Sequence, residues 1–105
     1  MSSAGVPAPE NLSESSQAIW GDVVADYEMS SVELARLKLG LEALDRAEEA
    51  RRALDRDGLM VVDRYDRPKL HPLVVVEKDA RNAAATILNS LGLEAGVMVP
   101  AQRNG

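Results

Sequence analysis

The sequence predicts a mainly α fold: a helical hairpin with a long central helix, a short β-hairpin or extended loop, a third helix, and flexible termini. Three observations predict it. Apolar residues recur at helical spacing in three stretches, within residues 14–27, 32–56 and 73–91. Residues 59–70 break that rhythm with a β-branched run, a polar turn and a proline. Phe is absent and the aromatics are Trp20, Tyr27 and Tyr65, so Leu, Val, Ile and Ala must build the core, and Leu and Ala favour helix. The 105 residues suffice for one small domain, and 46% apolar content argues against wholesale disorder.

Residues 1–11, rich in Ser, Pro, Ala and Gly, read as a flexible tail. The first helix should span Glu14 to Tyr27. Ser13 can accept an orphan backbone N–H as N-cap, and Glu14 suits the positive end of the dipole. Ile19, Trp20, Val23, Val24 and Tyr27 form its apolar stripe.

Met29–Ser31 is a break. Ser30 followed by Glu33 fits a capping box, and a helix of about 26 residues, about 39 Å long, should then run to Arg56. Gly58 stops it. This helix has two apolar rows: Leu34, Leu37, Leu41 and Leu44, and then Val32, Ala35, Leu39, Ala43, Ala47, Ala50 and Leu54. Either both make one wide core-facing stripe, or one row serves a partner subunit. The row Leu34, Leu37, Leu41 and Leu44 is the candidate oligomer interface.

Leu59 to Val62 reads as a short strand, Asp63 to Arg67 as a polar turn, and Lys69–Leu70 as a brief return strand. A hairpin this small is barely stable alone and should lean on the helices. Pro72 suits the first position of the third helix, whose stripe is Leu73, Val76, Ala80, Ala83, Ile87, Leu88 and Leu91, closed by Gly92. Residues 12–94 thus form a single helical domain, and residues 95–105 a second loose end.

Cysteine is absent, which removes disulfides, thiol catalysis and Cys-based zinc sites and fits a reducing cytoplasm. No apolar run suits a membrane span, and no signal peptide is recognisable. Net charge is −5 but unevenly spread. Residues 1–45 hold two basic and eight acidic residues, and residues 46–81 hold nine basic and eight acidic. Weak contacts from many copies would be needed to hold DNA.

His71, the sole histidine, has no nucleophile and acid set around it and reads as a loop or cap residue. Asp63 and Asp66, flanking Arg64 and followed by Arg67, read as a self-paired turn rather than a metal site. No phosphate-cradling glycine loop is present, so neither catalysis nor a cofactor is expected. Arg64, Arg67 and Lys69 beside Tyr65, and Arg51, Arg52 and Arg56 near the end of helix two, are the candidate DNA contacts. A solvated, salt-bridged surface is the competing reading of both sets.

The segment Gly58-Leu-Met-Val-Val-Asp-Arg-Tyr-Asp-Arg-Pro-Lys-Leu-His-Pro72, followed by Leu-Val-Val-Val-Glu-Lys-Asp-Ala-Arg81 and later Leu91-Gly-Leu-Glu94, resembles the bacteriophage terminase small subunits with a Gly-x-x-Val, Tyr-Gly, His-Pro, Leu-Gly-Leu pattern. Leu12 to Trp20 and the leucine-rich helix extend the likeness over residues 12–94. The resemblance implies a ring-like homo-oligomer in the cytoplasm of a bacterial host. It implies recognition of double-stranded viral DNA and its delivery to a separate large subunit bearing the ATPase and nuclease. Two features depart from the pattern: Asp66 replaces the turn glycine, and Glu94-Ala-Gly replaces a Thr-Pro and basic tail. The alternatives are a dimeric DNA-binding regulator and a protein-only helical scaffold or adaptor.

Overall fold

The structure is a computed structural model and describes residues 4–92. It is mainly helical, in the order α1 (Glu14–Asp26), α2 (Ser31–Asp57), β1 (Met60–Val62), β2 (Pro68–Leu70) and α3 (Leu73–Ser90). The expected fold class is the observed one, and the element ends fall close to the predicted ones.

Local chemistry sets those ends. The Ser13 hydroxyl accepts from the Ser16 N–H at 3.1 Å and opens α1. At α2 the capping box is complete: the Glu33 N–H donates to Ser30 Oγ at 3.1 Å, and the Ser30 N–H donates to Glu33 Oε1 at 2.8 Å. Gly58 ends α2 with φ of 84°, a conformation that side chains with a Cβ resist, and its N–H still reaches the Leu54 carbonyl. Pro72 has helical angles just before α3, and the His71 ring Nδ1 accepts from the Leu73 N–H at 3.1 Å. The expected cap role of His71 therefore takes this form.

Helix α2 is the spine, and two helices lie antiparallel on it. Helix α1 covers its first half: Trp20, Val23 and Val24 bury against Leu37 and Leu41, joined by Leu12. Helix α3 runs back along the remainder, from Arg51–Glu77 and Glu48–Arg81 pairs to Leu88 beside Gly40. The larger helical hairpin is thus α2 with α3, not α1 with α2. Small residues make its seam. Ala43, Ala47, Ala50 and Ala53 of α2 and Ala80 and Ala84 of α3 are all buried, which lets the backbones approach closely. At Gly40 the approach is closest: a Cβ there would sit 2.7 Å from Leu88 Cδ2 and 3.2 Å from Ile87 Cγ2.

Three expectations change. Residues 4–11 of the predicted flexible tail are docked: Val6 and Ala8 pack on the core, and Trp20 Nε1 donates to the Val6 carbonyl at 2.9 Å. Trp20 needs both an apolar cover and a hydrogen-bond acceptor, and this segment provides them. The row Leu34, Leu37, Leu41 and Leu44 faces α1 rather than a second subunit. Leu37 and Leu41 are 0% exposed and Leu34 and Leu44 are half-buried beside them. Truncating a buried leucine costs about 2–5 kcal/mol, so this row holds the protomer itself together. The hairpin β1–β2 leaves one face open rather than resting it on the helices: Met60, Val62 and Leu70 are each at least half exposed, while Val61 on the other face is half-buried. The loose end expected at residues 95–105 lies outside the described residues. No helix among the described residues is long and apolar enough to cross a membrane.

Candidate nucleic-acid interface

The hairpin projects from the turn between α2 and α3. Its strands pair Met60 with Leu70, Val61 with Lys69, and Val62 with Pro68. Strand alternation therefore puts Met60, Val62, Pro68 and Leu70 on one face and Lys69 on the other. The base is fastened by the His71 N–H donating to the Leu59 carbonyl at 2.7 Å. The His71 ring adds a second tie. Because Nδ1 accepts from Leu73, Nε2 carries the proton and donates to Asp57 Oδ2 at 3.1 Å. The Arg56 and His71 hydrogen bonds hold the Asp57 carboxyl below its ordinary range.

The tip is a tight three-residue loop. The Asp63 N–H donates to the Arg67 carbonyl and the Asp66 N–H to the Asp63 carbonyl. Asp66 has φ of 66°, the only positive value at a non-glycine position among the described residues. This is a turn closed by a left-handed bulge residue, a place usually given to Gly, and Asp is among the few side chains that tolerate it. Asp63 Oδ1 accepts from the Tyr65 and Arg67 N–H groups at 2.8 and 3.0 Å, and Asp63 Oδ2 lies 3.4 Å from Arg67 Nε. The Arg67 backbone bond comes first among the causes that hold the Asp63 carboxyl below its ordinary range. Arg64 and Arg67 place their guanidinium carbons 5.1 and 4.9 Å from the centre of the Tyr65 ring. Tyr65 itself is 61% exposed.

The six candidate DNA contacts separate on this geometry. Arg51 is tied to Asp55 and Glu77, and Arg56 to Asp57. Both lie on the spine and have anionic partners within reach. Arg67 shares Asp63, while Arg52, Arg64 and Lys69 have no carboxylate within ion-pair distance among the described residues. Arg64, Arg67 and Lys69 come together on the projecting hairpin. Arg52 stands apart, beside Asp45, Glu48 and Glu49 in a cleft of about 330 Å³ whose acidic walls disfavour phosphate.

That cleft contains a polar lock that sequence reasoning missed. Asp45 accepts from the Ser13 N–H, the Ser13 hydroxyl and the Ser16 hydroxyl at 2.7, 2.6 and 2.6 Å. Burial alone would raise its carboxyl, but these bonds and the charge of Arg52 hold it below its ordinary range. Asn11 adds a 2.7 Å bond to Glu42. The cluster fastens the start of α1 to α2. Its partners are 29 to 32 residues apart, so no local pattern could have signalled it. Arg81 was also missed; it bridges Glu48 and Glu77 and joins α3 to α2. Among the described residues, no three His, Cys, Asp or Glu side chains are grouped to hold a metal ion.

Compared with protein-family models, with curated proteins and with solved structures, the chain matches no family model, no curated protein and no solved structure.

Proposed function

We propose that this protein is a non-catalytic DNA-packaging subunit of the terminase small subunit type. Copies assemble into a ring, grip double-stranded viral DNA, and deliver it to a large subunit that supplies ATPase and nuclease. The observation that best supports the reading is the hairpin between α2 and α3, where Arg64 and Arg67 flank the exposed Tyr65 ring at the tip and Lys69 follows on β2. Guanidinium groups suit phosphate, and an exposed aromatic adds a stacking surface. The likeness of residues 58–94 to terminase small subunits supplies the setting, a bacterial host cytoplasm. One tip adds only a weak contact, and a net charge of −5 opposes binding by a single copy. Repetition around an assembly makes the sum useful.

Fluorescence anisotropy with duplex DNA across a salt series tests this. Affinity should fall with salt, and Arg64→Ala should reduce the log–log slope by about 1 per tip engaged. Arg51→Ala and Arg56→Ala, which remove guanidiniums already paired, should change it little. No binding even at low salt would defeat the DNA reading and favour a protein-only scaffold. Tight binding of a dimer to one short palindrome would favour a regulator.

A further inference from the structure

A free arginine samples many rotamers, and fixing it on a phosphate loses that freedom. The hairpin tip performs part of this ordering beforehand. Asp63 sits among exposed residues, yet its side chain is only 22% exposed because it turns into the loop. One oxygen, Oδ1, takes both the Tyr65 and Arg67 N–H groups. These two bonds fix the backbone on either side of left-handed Asp66. Arg64, Tyr65 and Arg67 are then presented as one cationic and aromatic unit.

We infer that Asp63 is a positioning residue for nucleic-acid phosphate, acting through the loop that its Oδ1 holds. The inference rests on the DNA-contact reading of the tip. It runs against simple electrostatics, in which any acid beside a phosphate contact weakens binding. Two substitutions remove the same charge and separate the two effects. In Asp63→Asn the amide oxygen can still accept both N–H groups, and only the pair with Arg67 is lost. In Asp63→Ala both backbone bonds are lost as well.

The test is duplex-DNA affinity of the full-length wild type and both variants, by anisotropy at one fixed salt. The Asn variant should bind at least as tightly as wild type. The Ala variant, despite equal net charge, should bind about tenfold more weakly. Amide exchange read by NMR should show Tyr65 and Arg67 protected in the Asn variant and released in the Ala variant. Helical amides should be unchanged in both, which separates loss of the loop from loss of the fold. Equal affinities for the two variants would overturn the inference while leaving the DNA reading intact. Absence of wild-type binding would overturn both.

Discussion

Two single residues, Asp66 in the hairpin turn and Asp45 within α2, carry consequences out of proportion to their size. Asp66 adopts a left-handed conformation that costs most side chains about 1–2 kcal/mol, a penalty Asp reduces and Gly escapes. Asp66→Gly should therefore stabilise the protein by about 0.5–1 kcal/mol in urea unfolding, and Asp66→Val should destabilise it. A polar turn between two short apolar runs was legible in the sequence, whereas the left-handed position within it was signalled only by the resemblance, whose pattern has Gly where Asp66 stands. Asp45 was not legible, since its meaning depends on Ser13 and Ser16 arriving from another helix. Its carboxyl pKa is lower folded than unfolded, so its contribution is full above the unfolded value and lost as pH falls through the folded one. Wild type should lose stability more steeply than Asp45→Asn below about pH 4. At neutral pH, Asp45→Ala should cost about 1–2 kcal/mol in thermal or urea unfolding.

At the scale of elements, the ends of the helices were readable because caps are local. Ser13, Ser30 with Glu33, and Gly58 act within four residues of themselves. Packing was less readable. Helical periodicity says which residues share a face, but not which neighbour covers it. The row from Leu34 to Leu44 therefore looked available for a partner, whereas α1 and the docked N-terminal segment bury Leu37 and Leu41 fully and Leu34 and Leu44 in part. The one clue to the α2–α3 contact was Gly40, an internal glycine that costs about 1 kcal/mol in a helix otherwise rich in strong formers. Its reason is steric. Gly40→Ala gains helix propensity but drives a Cβ to 2.7 Å from Leu88 Cδ2 and 3.0 Å from Leu88 Cγ, the branch point of that side chain, so a turn of the tip alone does not relieve the contact. Overpacking of this kind costs about 1–3 kcal/mol, so the net change should be a destabilisation of up to about 2 kcal/mol in urea unfolding. Gly40→Val should destabilise further.

At the scale of the whole molecule, the second apolar row of α2 is only partly enclosed. Its later half, Ala43, Ala47, Ala50 and Leu54, lies in the protomer, while Val32 and Leu39 remain 63% and 55% exposed. A second exposed apolar surface, Met60, Val62 and Leu70, sits on the hairpin beyond the other end of α2. Two unlike patches well separated along one spine suit a head-to-tail contact between copies, the kind that closes into rings. In the proposed function copies assemble before DNA is held, and light scattering coupled to size exclusion reads that assembly. Wild type should elute as a defined multiple of its 11.3 kDa chain. The double variant Val32→Ser, Leu39→Ser should shift toward a single chain with its helical circular dichroism intact. A wild-type mass of one chain at high concentration would rule out assembly ahead of DNA binding.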